Sequence, residues 1–71
     1  MNEFQLYKVV GQRIKTIREE KGLTQQDLAD LCNFEKSNMS RIEAGRTNLT
    51  LKSLLTISEA LNVPLKQLVD F

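Results

Sequence analysis

Between positions 36 and 41 the chain places Lys36, Ser37, Asn38, Ser40 and Arg41, a run of hydrogen-bond donors interrupted by a single apolar side chain, Met39. On a helix, Met39 and Ile42 fall three apart and, with Phe34 just before them, make one inward stripe. Lys36, Ser37, Ser40 and Arg41 then share another face. No covalent chemistry follows from this set. Cations beside short hydroxyl and amide groups bind oxygen-rich, negatively charged surfaces. Ser37 and Asn38 stand near the start of the helix, where free backbone amides suit phosphate oxygens. Arg41 lies one turn further in, where an arginine can bind guanine O6 and N7 with both arms, worth roughly 1–3 kcal/mol of discrimination. The pattern implies a helix that reads duplex DNA from the major groove.

Other elements must hold that helix out. A first helix is expected from near Glu3 to Lys21, with Tyr7, Val10, Ile14 and Ile17 at helical spacing and Gly22 just past its end. Phe4 and Tyr7 read as an apolar cap on its start. Thr24 suits the N-cap of a second helix, and Asp27 three residues on completes a variant of the capping box. That helix ends near Cys32, and Asn33 tolerates the left-handed turn that follows. The third helix runs from about Lys36 to Ala44, stopped by Gly45. After the polar connector Arg46-Thr47-Asn48-Leu49, Thr50 caps a fourth helix, Leu51 to Leu61, with Leu51, Leu54, Ile57, Ser58 and Leu61 along one face. Asn62 ends it. Pro64 opens a short, apolar last helix with Leu65, Leu68, Val69 and Phe71. No period-two segment is long enough for a strand. The fold expected is all-α, a single domain over 1–71 with a helix-turn-helix at about 24–44.

Composition excludes more than it selects. With 71 residues the chain holds one small core. It has one cysteine and no histidine, so neither a disulfide nor a metal framework is available. Cys32 reads as a small buried residue. No nucleophile has a base beside it and no glycine-rich loop cradles phosphate, so an enzyme is rejected and no cofactor or metal is expected. No apolar run spans a bilayer and the N-terminus lacks the features of a signal peptide, which implies a cytoplasmic protein away from membranes. The net charge is only +1, but its distribution is uneven. From Lys36 to Lys52 the bases Lys36, Arg41, Arg46 and Lys52 meet one acid, Glu43, whereas acids cluster at Glu19–Glu20 and at Asp27 and Asp30.

Further contacts follow from position in such a unit. Gln25 and Gln26 begin the second helix, whose start crosses the DNA backbone in this geometry, so they would bind phosphate or brace the reading helix. Arg46, Thr47 and Asn48 follow the third helix and would grip the opposite backbone wall. One domain covers a short site, so a homodimer on half-sites about 34 Å apart is expected. Val63, Leu65, Val69 and Phe71 are the candidate interface, with Leu68 closing the monomer core. No small-molecule ligand is inferred. Another reading stays open: a protein-interaction module using the same surface, favoured by the near-neutral charge and Glu35.

The ordered set Leu23-Thr24-Gln25-Gln26-Asp27-Leu28-Ala29, then Met39-Ser40-Arg41-Ile42-Glu43-Ala44-Gly45, then Asn48-Leu49-Thr50-Leu51 and Leu54 resembles the Cro/C1-type (XRE, lambda-repressor-like) helix-turn-helix family. The resemblance covers about Val10 to Leu68. It implies a compact five-helix domain that binds a pseudo-palindromic operator as a transcriptional regulator, with the antitoxin of a toxin–antitoxin pair as the alternative that short members of the family offer. By position it implies base reading by Lys36, Ser37 and Arg41, and phosphate contacts by Gln25 and by Arg46 to Asn48. It also implies a structural ion pair between Arg18 and Glu43. The chain departs from the family pattern at Asn33, where glycine is common, and at Glu35, where serine or threonine often caps the reading helix.

Overall fold

The computed structural model describes residues 1–71 and contains helices only: α1 (Glu3–Glu20), α2 (Gln25–Cys32), α3 (Lys36–Glu43), α4 (Leu51–Leu61) and α5 (Leu65–Leu68). The starts of α1, α2 and α4 follow from side chains that accept first-turn amides. Thr24 Oγ1 accepts from the Asp27 amide at 3.0 Å, and the Asp27 carboxylate accepts from the Thr24 amide at 2.9 Å. Asn2 and Gln5 make the same reciprocal pair at α1, with both bonds at 2.9 Å. Thr50 accepts from the Ser53 amide at the start of α4. The ends follow from residues that tolerate positive φ: Asn33 closes α2 and Asn62 closes α4, each at φ 58°.

Twelve side chains from all five helices make one core: Val10, Ile14, Ile17, Leu28, Ala29, Cys32, Met39, Ile42, Leu54, Ile57, Leu61 and Leu68. α1 lies against α3, α2 packs on both α3 and α4, and α5 packs against α4 and α1. Arg13 Nε donates to the Gln67 carbonyl at 3.0 Å, which ties the end of α5 back to α1. No helix is long and apolar enough to cross a membrane.

The approach of α1 to α3 depends on Gly11. A β-carbon there would press on the carbonyl oxygen of Ile42 and stand 2.7 Å from that of Glu43, so only glycine lets the two backbones come this close. At the far end of α3, Gly45 has φ +73°, and a β-carbon would meet the Lys8 backbone. The Arg46 amide donates across this turn to the Arg41 carbonyl at 2.9 Å, closing α3 and fixing where the next loop begins.

Two expectations need correction. Leu51 is 78% exposed and does not join the buried face of α4, because this first-turn position projects past the packed helices. Phe4 is 66% exposed and caps nothing, while Tyr7 is half-buried. Val63 and Leu65 are half-buried against the monomer core, whereas Val69 and Phe71 lie beyond α5 and face solvent.

Candidate nucleic-acid interface

The helix proposed to read DNA is split cleanly between its two sides. Met39, Ile42 and Glu43 are buried, and Lys36, Ser37, Ser40 and Arg41 are exposed. Apolar burial orients the helix, so the donors have no choice but to face outward. Asn38 is half-buried at the edge between the sides. Unlike α2 and α4, α3 has no side-chain cap: Glu35 makes no bond to the first turn. Glutamate reaches the first-turn amides poorly, so those donors at Lys36, Ser37 and Asn38 stay open to an acceptor from outside.

One buried polar cluster fixes α3 in place. Arg18 Nε donates to Glu43 Oε2 at 2.7 Å and Nη2 donates to Oε1 at 3.0 Å. The third arm, Nη1, donates to the Leu23 carbonyl at 2.7 Å and so also pins the turn before α2. Gln25 Nε2 donates to the same Glu43 Oε1 at 2.9 Å. The carboxylate bond raises the Arg18 pKa still further, so the guanidinium stays charged. No buried side-chain nitrogen or oxygen is left without a partner. One cluster therefore joins α1, the start of α2 and the end of α3.

The other positions singled out from sequence fall around this frame. Gln25 is the first residue of α2 and its side-chain amide braces Glu43, while Gln26 is exposed and donates to Asp30 at 2.7 Å. Arg46 and Asn48 are exposed and Thr47 is half-buried, in the loop launched by Gly45. Ser40 lines a cleft between α3 and α1, whose wall carries Lys8, Gln12 and Lys15. The seven-residue spacing of Lys8 and Lys15 places these two on one face of α1. Cys32 is buried in the core, which pushes its thiol up to about 11.

The Helix-turn-helix family model HTH_3 matches residues 14–68. The chain is similar to the immunity repressor protein of Bacillus phage phi105, with 42% identity over 60 residues, covering 84% of this chain and 42% of that protein. It therefore spans less than half the length of this relative. It is also similar to the crystal structure of the restriction-modification controller protein C.AhdI from Aeromonas hydrophila, with a TM-score of 0.85 and 32% identity, covering 87% of this chain and 94% of that one. A third likeness is to SinR, the master regulator for biofilm formation, solved in complex with DNA, with a TM-score of 0.80 and 39% identity, covering 86% of this chain and 98% of that one. With its fold, its motif and these relatives in agreement, the chain belongs to the Cro/C1-type (XRE) helix-turn-helix family of transcriptional regulators, which are not enzymes.

Proposed function

We propose that the chain binds duplex DNA sequence-specifically as a transcriptional regulator, with α3 in the major groove. The observation that carries this reading is the division of α3, whose buried side holds Met39, Ile42 and Glu43 and whose open side holds only polar donors beside an uncapped N-terminus. Lys36, Ser37, Ser40 and Arg41 then meet base edges, and Arg41 supplies the two-armed contact that favours guanine. Gln25, Gln26 and Asn38 meet one phosphate wall of the groove, and Arg46, Thr47 and Asn48 meet the other. The likeness to DNA-bound SinR supports the same docking.

The chain acts as a homodimer on a pseudo-palindrome. The molecule is only 30 × 23 × 21 Å and presents one reading helix, so a single copy covers a short site, whereas two copies on half-sites about 34 Å apart cover two successive turns of the groove. Val69 and Phe71 supply the interface together with Leu6, Leu51 and Leu55, all exposed apolar side chains. Leu51 and Val69 help line an entirely apolar hollow of about 270 Å³ with Leu6, Tyr7 and Leu54 among its walls. A Leu51→Asp variant is expected to sediment as a monomer under conditions in which the native chain is a dimer.

Selection from randomised duplex DNA tests the function, with Arg41→Ala run in parallel. A two-fold symmetric motif from the native chain, with information lost at one position per half-site in the variant, is expected. Absence of enrichment by a folded native chain overturns the reading.

A further inference from the structure

We infer that α1 provides a second wall for the DNA backbone, with Lys8 and Lys15 holding phosphodiesters that the helix-turn-helix itself does not reach. This rests on the DNA-binding reading above. The cleft between α1 and α3 has a volume of about 470 Å³ and is lined by Lys8, Gln12 and Lys15 from α1, Gln25 from α2, and Ser40, Glu43 and Ala44 from α3.

Its charge is positive for a structural reason. Glu43, the acid in this lining, is already matched by Arg18 and Gln25. The protein's one ion pair is Arg18–Glu43, so Lys8 and Lys15 carry charge with no carboxylate against either. Unpaired lysines flanking a cleft floored by a neutralised acid and uncharged donors form a site for anionic oxygen.

Position identifies the anion. Ser40 belongs both to this cleft and to the outward side of α3 that carries Ser37 and Arg41. The cleft therefore continues directly from the surface that would enter the groove. The major groove is about 12 Å wide and an α-helix nearly fills it, so a neighbour of the helix's flank meets a sugar-phosphate strand. Seven residues of helix separate Lys8 from Lys15 by about 10 Å. That span reaches separate phosphates of one strand rather than one ion. Gly11 lies on the same helix between them, and the close α1–α3 approach it permits keeps both lysines beside α3.

Such contacts carry no sequence information and act through counterion release, at a slope of about 0.9 per neutralised phosphate. The test measures the affinity of the native chain and of a Lys8→Gln/Lys15→Gln variant for the duplex recovered by selection and for a scrambled duplex, across a salt series. Glutamine keeps much of the aliphatic stem, so an unchanged Tm is expected to confirm folding. The variant is expected to lose affinity by a similar factor on both duplexes and to flatten the slope of log K against log salt by about 1.8. A Lys21→Gln/Lys66→Gln variant, altered away from this cleft, is expected to keep the native slope. Native affinity and slope in the Lys8/Lys15 variant, or an equal loss in the Lys21/Lys66 variant, overturn the inference and leave the DNA reading standing. No binding of either duplex by the native chain overturns both.

Discussion

Arg18 and Glu43, 25 residues apart, meet through parallel bonds of 2.7 and 3.0 Å and fasten the first helix to the end of the helix proposed to read DNA. Their side chains are only 8% and 2% exposed, so neither charge has water to fall back on. Removing one partner from a buried pair costs about 3–5 kcal/mol, whereas replacing both with apolar residues is often neutral or stabilising. Glu43→Ala is therefore expected to lower Tm by roughly 15 °C or more, at about 4–8 °C per kcal/mol for a domain of this size. An Arg18→Met/Glu43→Leu variant is expected to recover much of that loss. Thermal unfolding followed by circular dichroism checks both, and an unchanged Tm for Glu43→Ala would contradict the structural role.

Gly11 gives a prediction whose sign opposes helix propensity. Alanine is the better helix former by about 1 kcal/mol, so an exposed glycine here would be stabilised by the change. The added carbon instead meets the Ile42 and Glu43 carbonyls, which are backbone and have no rotamer to escape through. Gly11→Ala is expected to destabilise by about 1–3 kcal/mol in urea unfolding. A more stable variant would show that α1 and α3 separate freely.

Asp27 links stability to pH. Bonds from the Thr24 amide and hydroxyl favour its charged form and lower its pKa below the usual 3.8. The folded state thus releases this proton more readily than the unfolded chain, so the contribution is complete above the ordinary aspartate range. It declines as pH falls below about 3.8 towards the folded pKa. Asp27→Asn is expected to be less stable than the native chain at pH 7 and to show a shallower loss on acidification to pH 2. Parallel curves across that range would exclude Asp27 as the titrating group.

Cys32 is expected to resist thiol reagents. Burial raises its pKa to about 11, which leaves little thiolate at pH 8, and the thiol is covered by core side chains. Labelling of the native chain at pH 8 is expected only at the rate of opening, with rapid modification in 6 M guanidinium as the comparison. Fast native labelling would mean that the end of α2 opens readily.

The local instructions are carried by the residues themselves. Thr24 with Asp27 starts α2, Asn33 turns the chain, Gly45 stops α3 and Thr50 starts α4, because caps and left-handed turns depend on side chains within a few positions of one another. The helical period likewise places Met39 and Ile42 inside and turns Arg41 out. Periodicity says which face of a helix is apolar, but not how far along it another helix covers that face. That is why Leu51 fits the pattern of α4 and yet stands exposed, and why Val63 and Leu65 close the core while Val69 and Phe71 do not. Contacts between distant segments were decided only by packing. The need for glycine at position 11 comes from carbonyls more than thirty residues away, Gln25 reaches Glu43 because α2 and α3 converge, and Lys8 and Lys15 share a cleft with α3 because α1 lies against it. Sequence specified the helices and the donors on α3; the way five helices close over one core determined which surfaces those donors share.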